Sequence, residues 1–286
     1  MKKSNSFVLL ASLTVLAFFG YAEFNGVQVS KAVYQENKES SIQDLHTDTY
    51  SYNTFKFEEP FDKIVIQDTV SNQLAKTGDL RLIRFVESDA YGVKLQSFGG
   101  LIPAFGVKDG VLTINFNQRY YGMTNDPLLI YAPDFTRISL SNLKNFKIVH
   151  SKLDSLILSV SNSSLNLDHT NTIQQLGVYE THGSELTVQV PNVEKAYYNL
   201  DSSQVNHLSL KSDWVEIHGD ATSRAALGAA DWKGKMPQFG RIRYNSELGY
   251  IALSTSQVES IEGDPDQLFL TMRLQDVAKL TQKLKP

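Results

Sequence analysis

The sequence predicts an all-β fold in which short strands stack into a β-solenoid, similar to a parallel β-helix, with coils of about 20 residues. Three observations lead to this prediction. From residue 54 onward, short runs of β-branched and aromatic residues alternate with polar and turn-forming residues. In the second half of the chain, a Ser-x-apolar tripeptide recurs at a nearly constant interval. Between an N-terminal apolar segment, which we expect to be a hydrophobic helix, and the C-terminus, no stretch has a helical period.

The strand-like runs of the first half are each flanked by polar or turn-forming residues. They are Phe55–Phe57, Ile64–Ile66, Leu80–Phe85, Val93–Leu95, Val111–Ile114, Leu128–Tyr131 and Ile138–Leu140. Gly, Asn, Asp and Pro punctuate them, which is typical of strands joined by turns.

The repeat in the second half has two components. Its tripeptides begin at Ser141, Ser163, Ser184, Ser203, Ser223 and Ser246, with spacings of 22, 21, 19, 20 and 23 residues. Between them lie the runs Leu156–Leu158, Leu176–Val178, Ala196–Tyr198, Trp214–Ile217 and Ile242–Tyr244. One coil cannot bury its inward side chains alone, whereas stacked coils share a continuous core. Ser and Asn suit the tight corners because their side chains bond the local backbone. A β-sandwich is the alternative fold, since it also uses closely spaced short strands.

The N-terminus predicts export from the cytoplasm. Lys2 and Lys3 precede the uncharged, mostly apolar segment Phe7–Ala22, which is the pattern of a secretory signal. Small residues allow cleavage after Ala22. The alternative is an uncleaved membrane anchor, because Ser4–Ala22 comprises 19 uncharged residues and a bilayer needs about 20. Residues 1–22 are therefore a signal peptide or a membrane anchor.

Three further segments follow. Residues 23–53 are a polar spacer, since Glu23–Tyr52 carries five acids against two lysines and few large apolar residues. Residues 54–272 form the β-solenoid head. Residues 273–286 are a tail or a short capping helix, with Val277, Leu280 and Leu284 at helical spacing.

Composition excludes several functional classes. The 286 residues include 27 Lys and Arg against 31 Asp and Glu, a net charge of −4, with no basic cluster that would favour nucleic acid. No cysteine is present, so disulfides, thiolate metal sites and cysteine nucleophiles are absent.

The candidate chemical groups form no recognised motif, and we assign no catalytic, cofactor-binding or metal-binding residue. The six histidines are His46, His150, His169, His182, His207 and His218. None belongs to an HExxH motif. His150 and His169 are about one coil apart, as are His182 and His207 less closely, but exposed corner positions are the favoured interpretation.

One pair of acidic residues and one pair of basic residues are candidates for a carbohydrate-active site. Asp264 and Asp266 lie in a Gly-Asp-Pro-Asp sequence, which is typical of a turn. Arg241 and Arg243 share one strand face and, with Glu247, form a polar patch that is most simply a solvated surface.

Two aromatic pairs stand next to polar groups, Tyr120-Tyr121 within Arg119–Gly122 and Tyr197-Tyr198. Strand alternation turns one tyrosine of each pair outward. Such a ring either covers the edge of a sheet, which is the favoured interpretation, or contacts a sugar or a partner protein.

The chain resembles the head GIN-domain family of putative auto-transporter adhesins, found in Bacteroidetes-type envelopes. The resemblance lies in the opening strand Phe57–Ile66, the Val107–Ile114 hairpin and the serine-containing coils after Ser141, and covers residues 55–270. The family's coils are often richer in glycine; here only Gly183 directly precedes a repeat serine. The resemblance implies a β-solenoid head and adhesion, and it fixes fold better than function.

We therefore expect a non-enzymatic envelope protein, exported and either anchored or released, whose head binds a surface ligand or partner of protein or glycan. It requires no cofactor and no nucleic acid. Two alternatives stay open: a carbohydrate-active β-helix enzyme, and a periplasm-facing structural or signalling protein with the head as a rigid spacer.

Overall fold

The computed structural model describes residues 42, 44–46, 52–68, 81–96, 103–116, 127–135, 137–228, 236–255, 257–264, 266 and 268–271. The chain divides into two units, Met1–Thr49 and Tyr50–Pro286. In the first, Ile42 and Leu45 are buried. The described part of the chain contains no helix with the length and apolar character that a bilayer crossing requires. The predicted signal or anchor over residues 1–22 and the predicted tail or helix over residues 273–286 lie outside the described residues.

The second unit is all-β, as predicted, and its strands form two sheets. The eleven-stranded sheet contains β1 (Tyr52–Phe57), β3 (Arg81–Glu87), β4 (Tyr91–Gln96), β7 (Leu128–Ala132), β9 (Phe146–Ile148), β11 (Ser164–Leu167), β13 (Glu185–Val188), β15 (Gln204–His207), β17 (Arg224–Leu227), β19 (Tyr250–Ser254) and β21 (Leu268–Thr271). The ten-stranded sheet contains β2 (Lys63–Asp68), β5 (Ala104–Lys108), β6 (Val111–Phe116), β8 (Arg137–Ser141), β10 (Lys152–Ser161), β12 (Thr172–His182), β14 (Lys195–Asp201), β16 (Lys211–Gly219), β18 (Gln238–Tyr244) and β20 (Gln257–Glu262).

From β8 to β21 the chain alternates between the two sheets. Each strand pairs in parallel with the strand two places later, so β10 pairs with β12 and β11 pairs with β13. The apolar runs that fall between the serine tripeptides all lie in the ten-stranded sheet. This parallel pairing differs from the antiparallel pairing typical of the β-sandwich alternative.

The other end of the stack is antiparallel. In the eleven-stranded sheet β1 pairs with β4 and β4 with β7, and in the ten-stranded sheet β5 pairs with β6. The β5–β6 turn places Asp109 and Gly110 at φ of 53° and 75°, which is the geometry of a tight hairpin turn. The predicted Val107–Ile114 hairpin is confirmed, and the Gly110 carbonyl accepts a hydrogen bond from the Asp62 amide before β2 begins.

The core consists of apolar rows that run across the strands. In the ten-stranded sheet, Leu158, Val178, Tyr198 and Ile217 occupy matching positions and are buried. In the eleven-stranded sheet, Val188, His207 and Leu227 also occupy matching positions and are buried. Parallel pairing in constant register thus stacks like positions from coil to coil, which gives each apolar side chain neighbours above and below.

A ladder of four buried serines forms one corner of the stack: Ser163, Ser184, Ser203 and Ser223. Each Oγ accepts the amide N–H of the preceding rung, at distances of 3.0, 3.2, 3.1 and 3.3 Å and sequence separations of 20, 21, 19 and 20 residues. The first amide of the ladder belongs to Leu143. Each of the first three hydroxyls also donates to a carbonyl two residues earlier in its own coil. The hydroxyl therefore gives a buried amide its acceptor, and it adds a second donor to a carbonyl that already accepts a backbone amide from the preceding coil.

The residues before Leu143 and before the first three rungs adopt a left-handed conformation. Asn142, Asn162, Gly183 and Ser202 have φ of 57°, 47°, 57° and 49°. Asn and Gly are the residues that tolerate this region best. At the last rung the turn is one residue longer, and the Asp220 carboxylate replaces the carbonyl, accepting bonds from the Ser223 amide at 2.8 Å and hydroxyl at 2.7 Å.

Two of the six predicted tripeptides do not belong to this ladder. Ser141 pairs with Ser161 in the sheet register, so the ladder position of its coil is Leu143, two residues later. Ser246 lies in an exposed turn before the buried Leu248. In both tripeptides the apolar residue is buried as expected, but the serine is displaced from the corner.

The core also holds a polar bridge between the sheets. The Tyr198 hydroxyl lies 2.6 Å from His207 Nδ1, and His207 Nε2 lies 2.9 Å from Ser212 Oγ. All three side chains are buried. Burial lowers the pKa of His207 to about 3 and raises that of Tyr198 well above its usual value, so both groups are neutral at pH 7. The interpretation of His207 as an exposed corner residue is wrong: it replaces an aliphatic residue in an inward row.

The ladder predicts a stability loss for Ser203→Ala. The substitution leaves the buried Ser184 amide without its acceptor and removes one of the two donors to the Asp201 carbonyl, which costs roughly 1–3 kcal/mol. Urea unfolding of the full chain measures it. Ser139→Ala is the matched control because Ser139 is exposed on β8, and there we expect a change within about 0.5 kcal/mol. Equal effects of the two substitutions would contradict the role of the ladder.

The buried Tyr198–His207–Ser212 bridge predicts that the protein loses stability as the pH falls from 7 to 5. Because the pKa of His207 is lower in the folded than in the unfolded protein, stability is fully present above the unfolded pKa of about 6.5 and declines as the pH falls below it. Between pH 7 and 5 this loss amounts to about 2 kcal/mol. His207→Gln should remove most of it, whereas His150→Asn, at an exposed position, should retain it. Urea unfolding at both pH values provides the comparison, and an unchanged pH slope in His207→Gln would refute the assignment.

Candidate functional site

The candidate site is an aromatic row on the outer face of the ten-stranded sheet, and it begins with a bulge in β12. In β12, Val178 pairs with Leu158, but the next residue to pair with β10 is Glu180, opposite Ser159. On the other side, Val178 pairs with Tyr198 and the next pair is Thr181 with Leu200. Tyr179 is thus the extra residue of a β-bulge, a device that redirects a side chain. It is 48% exposed, unusually high for a tyrosine within a sheet.

Gly177 provides the space that Tyr179 occupies. A Cβ at Gly177 would lie 2.6 Å from Cε2 of the Tyr179 ring and 3.4 Å from two further ring atoms. The ring edge therefore rests on the glycine backbone. Gly177 aligns with Ile157 on one neighbouring strand and Tyr197 on the other, so the ring of Tyr179 fills a gap in an outward row.

Two further rings continue this row across the strands. Tyr197 stacks on Tyr179 with centroids 5.1 Å apart and planes 30° apart, and His218 follows at 5.6 Å from Tyr197. Tyr198 points inward and is fully buried, so the predicted alternation of Tyr197-Tyr198 is confirmed. We call Tyr179, Tyr197 and His218 the aromatic ladder. Burial and the neighbouring Glu216 and Tyr179 raise the pKa of Tyr197, which keeps it neutral.

A polar network borders the ladder on β16, β18 and β20. Glu216 contacts His218 at 2.9 Å and Arg243 at 3.9 Å, and Arg241 contacts Glu262 at 3.7 Å. Arg241 also lies over the Trp214 ring, 5.1 Å from its centroid. Arg241 and Arg243 share the exposed face as predicted, but their acidic partners are Glu216 and Glu262 rather than Glu247.

Tyr179 lines three shallow grooves, and two of them lie along the outward row of Ile157, Gly177 and Tyr197. One, of about 560 Å³, has Ser155, Gln175, Lys195, Tyr197 and Trp214 among its lining residues. The other, of about 520 Å³, is lined by Arg137, Ser139, Ile157 and Ser159 together with Tyr179. These volumes fall in the range of small-molecule sites. Each groove contains one cation, and no ion pair joins Lys195 or Arg137 to an acidic side chain of the described residues.

The exposed turns carry a separate set of polar contacts. His182 Nδ1 lies 2.8 Å from Asp201 Oδ2, and Asp220 accepts bonds from Ser202, Thr222 and Ser223. The bonds from Ser223, followed by those from Thr222 and Ser202, hold the pKa of Asp220 well below its usual range. These contacts are all within or between turns, so they stabilise the corner.

The remaining candidates from the sequence are not brought together. Asp264 accepts the Asp266 amide at 3.0 Å, which confirms the turn interpretation. His169 contacts its neighbour Asp168 at 3.2 Å, and His150 uses its amide to bond Thr170. His182 is exposed whereas His207 is enclosed, so they do not stack. Within the described ranges no three His, Asp or Glu side chains are arranged to hold a metal ion. Arg119–Gly122 lies outside the described residues.

The sequence signalled only part of this site. Tyr197 was identified through its pairing with Tyr198. Tyr179 was missed because it follows the apolar run Leu176–Val178 by which the strand was recognised, although alternation from the inward Val178 turns it outward. Its one sequence signal is Gly177 within the β-rich run Leu176-Gly-Val178, since a strand glycine marks a bulge or a close approach.

No family model matches the chain, and no curated protein matches it. Solved structures do. A putative adhesin from Parabacteroides distasonis ATCC 8503 has 14% identity and a TM-score of 0.40, covering 78% of this chain and 92% of that one. A putative adhesin from Parabacteroides merdae ATCC 43184 has 11% identity, a TM-score of 0.34 and coverage of 78% and 91%. One from Bacteroides fragilis NCTC 9343 has 14% identity, a TM-score of 0.36 and coverage of 78% and 97%. These identities assign no activity to the chain.

The role of Gly177 can be tested directly. In Gly177→Ala the new Cβ displaces the Tyr179 ring, and the stacking on Tyr197 is lost or altered. Because Tyr179 is half-exposed and its ring can move into solvent, we expect a stability change within about 1 kcal/mol. Ring-to-ring NOEs between the two tyrosines measure the contact. Unaltered NOEs in the variant would mean that Gly177 does not position Tyr179.

Proposed function

We propose that the chain is an exported, non-enzymatic envelope protein with a β-solenoid head that binds a surface ligand through the aromatic ladder and its two grooves. Residues 1–22 direct it out of the cytoplasm as a signal peptide or a membrane anchor, and residues 23–53 space the head from that segment. The head comprises residues 54–272, and each rung of the serine ladder belongs to a different coil. The resemblance to the head GIN-domain family agrees with an adhesive role.

The exposed aromatic ladder is the observation that carries this proposal. Most tyrosines in the described strands face the core or are partly covered, whereas Tyr179 is 48% exposed in a conformation that needs both a bulge and a glycine. Exposed aromatic rings next to polar groups are typical of recognition surfaces. Two local irregularities that serve one exposed ring favour a binding role over simple covering of the sheet.

The distribution of titratable groups supports a non-enzymatic role. His207 and Tyr198 are enclosed, Asp220 bonds a turn, and Asp168 is paired with Lys147. The carbohydrate-active alternative requires carboxylates or bases with perturbed pKa values that converge in a cleft. The perturbed acids and histidine of the described residues are spread over the corner and the core instead.

The proposal predicts both surface exposure and ladder-dependent attachment. The full chain carries a C-terminal tag in its host cells, and protease is added to intact and to permeabilised cells. We expect digestion in intact cells, and attachment to plates coated with purified envelope polysaccharide or envelope protein that falls in Tyr179→Ala/Tyr197→Ala.

Two outcomes would overturn this proposal. Protection of the tag until the envelope is opened would replace adhesion with a periplasmic role. Equal attachment of the wild type and the double variant to both coatings would show that the aromatic ladder takes no part in binding. Tyr250→Ala/Phe269→Ala, which alters a similar exposed ring pair in the other sheet, is the matched control.

A further inference from the structure

Tyr179 ends the aromatic ladder and is 48% exposed. Within the described residues its ring contact is with Tyr197, which occupies one side, while His218 lies beyond Tyr197. The other side of Tyr179 borders the groove over β8 and β10. We propose that a pyranose ring of an acidic glycan packs in this groove against Tyr179, with Arg137 and Lys195 contacting its carboxylate or sulfate groups. This inference rests on the proposed binding function and specifies its ligand.

The ring chemistry fits a sugar. An aromatic face carries partial negative charge, and the axial C–H groups of a pyranose carry partial positive charge, so the two faces attract each other while the apolar surfaces lose water. The sugar hydroxyls need hydrogen-bonding partners at the edges. Ser139 and Ser159 line one groove, and Ser155 and Gln175 line the other, which places such partners on both sides of Tyr179.

The charges fit an acidic rather than a neutral glycan. Arg137 and Lys195 are both exposed and lack described acidic partners, while the other arginines of this face, Arg241 and Arg243, are already paired. An anionic group of the ligand would therefore supply the charge partner that Arg137 and Lys195 lack among the described residues. Arg137 on β8 and Lys195 on β14 are three strand spacings apart, about 14 Å across the strands, and two residues apart along them. A linear polymer with repeated charges that crosses the strands would contact both.

The shape of the surface favours a glycan over a protein segment. The strongest residues of protein interfaces sit in pockets that become fully desolvated. Here the grooves are shallow, and their floor contains Gly177 and Ile157 between polar residues. A flexible polymer that makes repeated weak contacts across the strands suits this surface better than a single apolar anchor.

The experiment compares three polymers on the purified full-length chain in detergent. Polygalacturonate supplies pyranose rings and carboxylates, fully methyl-esterified polygalacturonate supplies rings without charge, and polyglutamate supplies charge without rings. We expect calorimetry to show binding of polygalacturonate, at least tenfold weaker binding of the ester, and no binding of polyglutamate. Polyglutamate binding as tight as that of polygalacturonate would overturn the proposal.

Variants then locate the site. Tyr179→Ala should weaken polygalacturonate binding about tenfold, and Arg137→Gln and Lys195→Gln severalfold each. Lys144→Gln, an exposed lysine outside this face, and Tyr250→Ala/Phe269→Ala should bind as the wild type does. Unchanged binding in Tyr179→Ala would overturn the assignment.

The ligand class and the binding function fail separately. If neither uronate polymer binds while cells still attach to envelope protein through Tyr179 and Tyr197, the partner is a protein and the acidic-glycan inference is wrong. The proposed function would stand in that case. If the Tyr179 and Tyr197 variants also attach normally, the acidic-glycan inference and the proposed binding function are both wrong.

Discussion

The hydrogen bond from a backbone amide to the serine hydroxyl of the next coil is the constraint on which the rest of the structure depends. At this corner the chain leaves one sheet for the other, and the amides of Leu143, Ser163, Ser184 and Ser203 bond to a serine hydroxyl instead of a strand carbonyl. The four rungs from Ser163 to Ser223 supply both a donor and an acceptor within the buried corner. Because each rung fixes one coil against the next, the flanking strands are held in a parallel register that is interrupted at the bulge in β12.

Constant register has a different consequence on each face of a sheet. Inside, it stacks apolar rows, and it tolerates the polar residue His207 only because Tyr198 and Ser212 complete its hydrogen bonds. Outside, it aligns side chains of successive strands into rows at the spacing of the strands. The aromatic ladder is one such row. A regular scaffold thus places rings and cations beside shallow, open grooves, which suits extended ligands with repeated weak contacts.

The sequence predicted the fold from features that repeat. The strands, the alternation between serine corners and apolar runs, and the outward direction of Tyr197 all follow from periodicity. The misplacements have local causes. Ser141 and Ser246 fit the spacing, but turn length shifts them from the corner, and pattern alone does not reveal turn length. His207 was placed outside because an inward histidine depends on partners from other strands. Tyr179 lies just beyond the apolar run Leu176–Val178, and neither its stacking on Tyr197 nor the bulge that follows Val178 can be read from the sequence pattern.

The most direct test of this account is a crystal structure of the full chain bound to a galacturonate oligosaccharide. The account predicts a pyranose ring packed against Tyr179 in the groove over β8 and β10, with a carboxylate within about 4 Å of Arg137 or Lys195. An oligosaccharide bound at the Tyr250–Phe269 pair, or along the turns near His182 and Asp201, would contradict it.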